Sequence, residues 1–347
     1  MSRRKNPEDQ IPLFDFAPPE PPRRERRGVA PAPVSPEAEA LGRALPHGCY
    51  LGVSTWSFPG WAGLVYDDRY AQGKLAREGL AAYAQHPLFR AVGIDRTHYS
   101  PADAEDLAES AAMVPQDFRF LVKAHEVCTL ARFPDRPRYG SQRGQANSLF
   151  LDVSYTADQV VAPYVEGLGD KGGALLFQFA PQDLGTPERF ADALQSFLTA
   201  LPRGPRYAVE LRNRELLTPA YADALASAAA CHCHNVHPRM PDVRTQARLA
   251  QSHRSPVIVG RWLLAQGMAY EQAGRLYEPF DKLVAPDPGA RRSLAELARE
   301  TLASGREFLL TVNNNAEGCS PLSIQALARE IVGMPTAPAA ATASVER

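Results

Sequence analysis

Several features are scarce in this sequence, and each scarcity excludes something. No run of about 18 apolar residues occurs, so no membrane-spanning helix is expected. The N-terminus has no apolar h-region, so a secretory leader is not expected. Cysteine is sparse and odd in number. Cys49, Cys128, Cys231, Cys233 and Cys319 follow no disulfide-framework spacing. That pattern indicates a reducing compartment, and a cytoplasmic location is expected. Net charge is also missing: 38 Lys and Arg stand against 39 Asp and Glu, giving −1. No global field therefore draws the chain to nucleic acid or a membrane, and any basic patch must be local. No Gly-x-Gly-x-x-Gly follows the first strand, which argues against a dinucleotide site there.

What is present is enough for a large core: 347 residues, 45% of them hydrophobic. A single (β/α) barrel of roughly 250 residues fits within that length. Eight β-prone segments are expected, at 50–57, 91–99, 118–126, 173–181, 206–213, 230–237, 256–263 and 307–315. Helical patterns follow at 75–85, 102–114, 157–167, 188–201, 220–229, 293–303 and 322–331. Strands alternating with helices imply a parallel sheet, and eight units imply closure into a (β/α)8 TIM-type barrel over residues 47–333. An open doubly wound sheet is the alternative. Ser100-Pro101, Thr186-Pro187, Thr218-Pro219 and Ser320-Pro321 read as helix starts, because the hydroxyl caps free N–H groups and proline lacks the N–H that would be orphaned.

Residues 1–46 are rich in Pro, Arg and Glu and are expected to form a disordered N-terminal tail. Residues 334–347 read as a flexible C-terminal tail. One apolar island, around Gln10, Leu13 and Phe14, resembles the Gln-x-x-Leu-Phe peptides that bind the bacterial sliding clamp, so a clamp contact through the tail is one reading. Folding back onto the barrel is the other.

The chemistry concentrates in Tyr207-Ala208-Val209-Glu210-Leu211-Arg212. Alternate strand residues share a face, so Glu210 and Arg212 point one way and Val209 and Leu211 the other. Inward charges at the ends of barrel strands converge on one mouth. Glu210, Lys123 and Asp95 are therefore the candidate catalytic residues. Trp56, Tyr99, His125, Gln178, Arg212, Arg261 and Asn314 are the candidate substrate-binding residues. Arg132, Arg136, Arg138 and Arg143, with Arg261, are expected to form a basic rim. Long irregular stretches at 127–147 and after Trp262 suit loops that cover a ligand. The segment from Cys231 through His232, Cys233, His234 and Asn235 to His237 is rich in metal ligands. On a strand, however, its cysteines face opposite to His232 and His234, so no metal is assigned there. His98, His125 and His237 form a geometrically better alternative cluster. No cofactor is assigned.

Val53-Ser54-Thr55-Trp56-Ser57-Phe58-Pro59-Gly60-Trp61 resembles the Gly-Thr-Ser-x-Trp-Ser-Tyr-Pro-x-Trp opening of the domain-of-unknown-function 72 family. Phe120-Leu121-Val122-Lys123-Ala124, Leu175-Leu176-Phe177-Gln178-Phe179, Ala208-Val209-Glu210-Leu211-Arg212 and Asn313-Asn314 with Gly318 resemble its later motifs, in the same order. The resemblance implies a (β/α) barrel without an established reaction. It breaks at the second strand. There the family's Glu corresponds to Gly93 and its Asn to Asp95, which makes Asp95 a substitute carboxylate.

Three classes of function remain open. The first is a hydrolase acting on a phosphate- or sugar-containing substrate, with nucleic-acid phosphodiester favoured. The second is a ligand-binding barrel without chemistry. The third is a replication- or repair-associated adaptor that docks through the N-terminal peptide.

Overall fold

The computed structural model describes residues 28–265 and 267–333. Gln10, Leu13 and Phe14 lie outside the described residues, as does the segment 334–347. Eight parallel strands close into a barrel in sequence order. They are β1 (Cys49–Val53), β2 (Ala91–Ile94), β3 (Arg119–Lys123), β4 (Gly172–Phe179), β5 (Tyr207–Leu211), β6 (Cys231–Val236), β7 (Val257–Trp262) and β8 (Glu307–Val312). Closure is made by β1 pairing with β8, from Cys49 opposite Phe308 to Val53 opposite Val312. Parallel neighbours cannot be joined by a tight turn, so each connection crosses back over the outside of the sheet.

Those crossovers carry the helices. In order they are α1 (Pro36–Ala44), α2 (Gln72–Tyr83), α3 (Ala104–Ala112), α4 (Val153–Thr156), α5 (Ala162–Leu168), α6 (Pro187–Ala200), α7 (Pro219–Ser227), α8 (Val243–Leu249), α9 (Tyr270–Tyr277), α10 (Pro288–Ala303) and α11 (Ser320–Val332). The helices α4 and α5 are joined through a π turn at Ala157–Val161. α9 lies in the region after Trp262 that reads as irregular in sequence. None of the described helices is long and apolar enough to cross a membrane.

Alternation along each strand builds two cores. Inward residues such as Ala91, Leu121, Leu176, Ala208, Cys233 and Val259 form one buried cluster inside the barrel. Outward residues such as Val53, Phe177, Val209 and Leu310 join the larger core beneath the helices. All five cysteines are buried and free.

Two of the four hydroxyl-proline helix starts behave as expected. Thr186 accepts from the Arg189 N–H and Thr218 from the Tyr221 N–H, each followed by proline in the first turn. Ser100-Pro101 does not cap: α3 begins later, after Asp103. Ser320 lies in the first turn of α11, where its N–H and hydroxyl both donate to Asn314 Oδ1.

The strands stop earlier than their sequence patterns suggest. After Ile94 the chain turns into a 3-10 helix, Arg96–His98, held by the Thr97 hydroxyl near the Ile94 and Lys123 carbonyls (3.1 and 2.6 Å). The expectation of a structureless tail through residue 46 is corrected for residues 28–46. The Ala32 N–H donates to the Val65 carbonyl (3.0 Å) and the Asp67 N–H to the Ala30 carbonyl (3.1 Å). α1 is capped by Ser35 and buries Ala38 and Leu41. Its apolar positions pack against the core, and Glu37 binds Arg329 and Gln325 of α11. The proline-rich composition concealed a nine-residue amphipathic helix with a serine cap.

Candidate functional site

The inner face of the barrel changes character at the C-terminal ends of the strands. Below lie Leu176 and Ala208, paired across β4 and β5. Two residues on, the same inward register places Gln178 opposite Glu210. On the far side Asn235, Arg261 and Thr311 line up across β6, β7 and β8. The period of two therefore brings a polar layer over an apolar one, without any loop being needed to position it.

Five ionisable groups meet in that layer. Glu210 has no exposed surface. Its Oε1 accepts from Arg212 Nε at 2.7 Å, and its Oε2 accepts from Arg261 Nη1 at 2.9 Å. Arg261 Nη1 also donates to Gln178 Oε1 at 3.1 Å. Its other terminal nitrogen, Nη2, is 3.0 Å from Asp95 Oδ2. Lys123 Nζ lies 3.7 Å from the same oxygen of Asp95. The structure thus brings together Asp95, Lys123, Gln178, Glu210, Arg212 and Arg261. The charge count is three cations against two carboxylates. Tyr270, at the start of α9, has its ring centre 6.3 Å from that of His237.

Burial and charge act in opposite directions here. Burial alone would push the Glu210 carboxyl up, but Arg212, Arg261 and Lys123 outweigh it and hold it at about 2. Burial lowers the Lys123 ammonium to about 8; Arg261 adds to that, while Asp95 and Glu210 oppose it. Glu210 is therefore a permanently ionised anchor for two guanidiniums. Lys123 sits close to the pH at which it exchanges a proton.

Two concavities open on this face. One, of 480 Å³, lies over β3 and β4 and is lined by Arg132, Arg136, Arg138 and Arg239 with Glu126, Gln178, His98 and Tyr99 among others. Gln178 connects it to the buried cluster. Its four arginines face one carboxylate, and that one is already engaged: Arg138 Nη2 is 2.6 Å from Glu126 Oε2, and Tyr139 donates to the same oxygen at 3.0 Å. The Arg138 guanidinium stacks over Tyr99 and Tyr139, at 5.1 and 4.6 Å from the ring centres. Tyr99 is 64% exposed. The second concavity, of 440 Å³, lies between α2 and α3 and includes Gly93 and Asp95. Its ionisable lining is Arg77 and Arg96 against Asp95, Asp106 and Glu109, which gives it no cationic surplus.

Three of the sequence-derived binding residues take no part in the charged cluster. Trp56 is largely buried, with its indole N–H donating to the Leu75 carbonyl (3.0 Å); its ring joins the main core and also lines the 440 Å³ concavity. His125 pairs through Nδ1 with the Tyr155 hydroxyl (2.7 Å). Asn314 Oδ1 receives Ser320 of α11 and so ties the turn after β8 to that helix. Arg143 is also outside the mouth, 3.7 Å from Asp135. The three histidines do not assemble. His98 lies 3.6 Å from Glu126, whereas His237 Nδ1 accepts from the Arg239 N–H (3.2 Å).

On β6 the cysteines join the inner cluster. His232 faces outward to Tyr221 and Gln246, and His234 to Ser252. Among the described residues no group of three or more His, Cys, Asp and Glu is placed to hold a metal ion. Glu126, Arg239 and Tyr270 were not singled out as site residues from sequence. Glu126 had a usable signal, three residues beyond Lys123 on the same strand-end. Tyr270 had none, because its position depends on how α9 folds over the mouth.

Comparison with known proteins settles the family. The family model described as protein of unknown function DUF72 matches residues 50–344. The chain belongs to the DUF72 family. A DUF72 protein from Enterococcus faecalis V583 superimposes with a TM-score of 0.55 at 17% identity, covering 83% of this chain and 97% of that one. A DUF72 protein from Thermotoga maritima MSB8 gives 0.55 at 16% identity, covering 83% and 100%. At these identities the likeness establishes the fold alone. No curated protein matches the sequence. In this DUF72 member Gly93 has no room for the glutamate that the family motif carries in β2: a Cβ there would lie 2.9 Å from the Ser54 carbonyl oxygen and 3.1 Å from Ser54 Cα. The nearest inward carboxylate on this strand-end is Asp95.

Proposed function

We propose that the mouth of this barrel binds a phosphate-bearing ligand, a nucleic-acid phosphodiester in preference to a neutral sugar, and hydrolyses it beside Asp95 and Lys123. The observation that carries the reading is the 480 Å³ cavity, where four arginines face a single carboxylate and Gln178 links them to Arg261. Guanidiniums supply paired donors to phosphate oxygens and remain charged at any physiological pH. Exposed Tyr99 adds a ring face on which a base can stack.

In this reading Glu210 positions; it does not transfer protons. With both oxygens bound to guanidiniums and a pKa of about 2, it cannot donate a proton near neutrality. That weakens a two-carboxylate glycosidase, which needs one protonated acid. Asp95 is 35% exposed on its side chain and carries the base role. It takes a proton from the attacking water as the new P–O bond forms. The Lys123 ammonium gives its proton to the departing oxygen as the old P–O bond breaks. A pKa of about 8 suits that exchange, because it lies close to the working pH.

Fluorescence anisotropy with a labelled single-stranded oligonucleotide tests the binding step. The expected result is salt-dependent binding in which Arg136→Ala and Arg239→Ala each weaken affinity and lower the slope of log K against log salt by about 0.7. Lys123→Met should keep the binding and lose the cleavage. Equal binding of a neutral oligosaccharide, or affinity indifferent to salt, would overturn the reading.

A further inference from the structure

The opposite end of the barrel holds a second concavity that the mouth chemistry does not use. It has a volume of 760 Å³ and lies at the N-terminal ends of three successive strands. Its walls are the residues entering β3 (Gln116, Asp117, Arg119), those entering β4 (Gly169, Asp170, Gly172) and those entering β5 (Arg203 to Arg206), closed from outside by Tyr164 and Val165 of α5. In barrels of this architecture this end is ordinarily given over to stability, so polar groups without a structural partner there call for another explanation.

Tyr164 is such a group. The residue is 3% exposed, and its hydroxyl has no hydrogen-bond partner among the described residues. A buried O–H without an acceptor is a cost to the fold. The sequence nevertheless makes space for this one. Gly172, at the first position of β4, lies against the ring, and a Cβ there would sit 2.6 Å from Tyr164 Oη. Any other residue at 172 would displace the hydroxyl from the wall of the cavity.

Two arginines, Arg119 and Arg206, line the same cavity as Tyr164. Burial raises the Tyr164 phenol, and the positive charges of Arg206 and Arg119 oppose that rise. Each is held in place by one terminal nitrogen. Arg119 Nη1 donates to the Gln116 and Phe118 carbonyls at 3.2 and 3.0 Å, and its guanidinium stacks over Tyr50 at 5.0 Å from the ring centre. Arg206 Nη1 is bound to Glu307. A guanidinium carries five N–H donors, so these anchors leave other donors on each residue, and both residues line the cavity.

We propose that this N-terminal cavity is a second ligand site, which takes a small phosphomonoester. The phosphate accepts from the Tyr164 hydroxyl and from Arg119 and Arg206, and Arg203 adds positive charge at the rim. The organic part lies against Tyr164, Val165 and Pro205, the apolar portion of the wall. Asp117 and Asp170 also line the opening. Their negative charge discriminates against a long polyanion such as a nucleic-acid strand, and favours a ligand with one phosphate group that fits wholly within. The volume is in the range of pockets that enclose a small organic molecule. The site is independent of the mouth: it uses none of the same residues and lies at the other end of the strands.

Isothermal titration of the full-length protein with phenyl phosphate tests it, with Tyr164→Phe as the principal variant. That change removes one oxygen and keeps the ring. The expected result is one equivalent bound in the parent that Tyr164→Phe weakens by about tenfold, the loss of one hydrogen bond to a charged acceptor. Arg138→Ala, at the mouth, should leave that equivalent unchanged, so failure of either site is seen separately. Gly172→Ala should weaken binding as Tyr164→Phe does, because it displaces the same hydroxyl. Should Tyr164→Phe fail to fold, Arg203→Glu on the exposed rim reports instead, with an expected loss of at least tenfold. No binding by the parent at millimolar phenyl phosphate, or equal binding by parent and variants, overturns the proposal.

Discussion

Arg261 Nη1 lies 2.9 Å from Glu210 Oε2 in a layer where neither residue has appreciable exposure. The other terminal nitrogen of the same guanidinium reaches Asp95, so one side chain from β7 ties the carboxylate of β5 to the one just past β2 across the barrel. An ion pair in such a place gains little net stability over an apolar replacement, because both charges had to leave water. Its value is geometric. It holds Arg212 and Arg261 at fixed positions beneath the mouth, with Glu210 neutralising part of their charge.

The asymmetry between having the pair and losing half of it gives the first prediction. Glu210→Gln leaves Lys123, Arg212 and Arg261 facing only Asp95. The expected cost is about 3–5 kcal/mol of unfolding free energy, the range for removing one partner of a buried pair. Urea denaturation measures it. A loss under about 1 kcal/mol would mean that Arg212 and Arg261 swing out to solvent and that the anchor role is wrong.

This layer also shows what was legible in the sequence. Glu210, Arg212, Arg261, Lys123 and Gln178 were identifiable because strand alternation assigns a face to each residue, and barrel closure sends every inward strand-end to the same mouth. Trp56 shows the limit of alternation, because an aromatic near a strand end looks the same whether its ring faces a cavity or the core, and this one joins the core while lining the concavity between α2 and α3. The Leu75 carbonyl that binds its N–H is 19 residues away. α1 was hidden for a compositional reason. Pro, Arg and Glu dominate the segment around it, and the few buried apolar residues, Ala32, Ala38, Leu41 and Leu45, reveal docking. The N-terminal cavity has no sequence signature, since Gly172 and Tyr164 meet only through the packing of α5 on β4.

Lys123 yields a prediction about pH. Its folded value of about 8 lies below the ordinary 10.5. Between those limits the unfolded chain holds more protons than the folded one, so stability rises as pH increases through that window. Below about pH 8 the ammonium is charged in both states and the burial cost is present in full. Glu210 acts in the acid range with the same slope: its contribution is complete above 4.5 and is lost as pH falls toward 2. The five buried thiols, whose pKa burial raises, lower stability over the same window in both proteins, so the Lys123 effect is read as a difference: from pH 7.5 to 10 the parent should gain unfolding free energy relative to Lys123→Met. Identical slopes in the two proteins would count against a buried, depressed lysine.

Gly93 makes a steric prediction. The Ser54 backbone leaves no room for a Cβ at this position, with the carbonyl oxygen at 2.9 Å and Cα at 3.1 Å. The Ser54 backbone, paired within the sheet, cannot move aside as a flexible side chain would. Gly93→Ala is expected to cost about 1–3 kcal/mol, the range for overpacking a closed core. Gly93→Glu, which reinstates the family's motif residue, should cost at least as much and should not raise activity. Thermal unfolding of the two variants checks the first statement. If Gly93→Ala melts with the parent, β1 and β2 can separate more easily than their pairing suggests.

The last prediction concerns the segment before the barrel. Leu41 is fully buried, and Ala38 and Leu45 are nearly so, all within the main core beside α11. Pro31 bridges to Tyr66, and the neighbouring backbone hydrogen bonds at Ala30 and Ala32 fix the approach to α1. The Glu37–Arg329 pair is partly solvated, with side-chain exposures of 41% and 25%, so it contributes at most about 1 kcal/mol. The apolar contacts dominate. Leu41→Ala should therefore destabilise the protein by about 2–5 kcal/mol, as large-to-small changes in a packed core do. Two truncations isolate the same effect: a chain beginning at Gly28 keeps α1, and one beginning at Leu45 lacks it. The second should melt well below the first in calorimetry. Equal melting temperatures would show that α1 rests on the barrel without holding it.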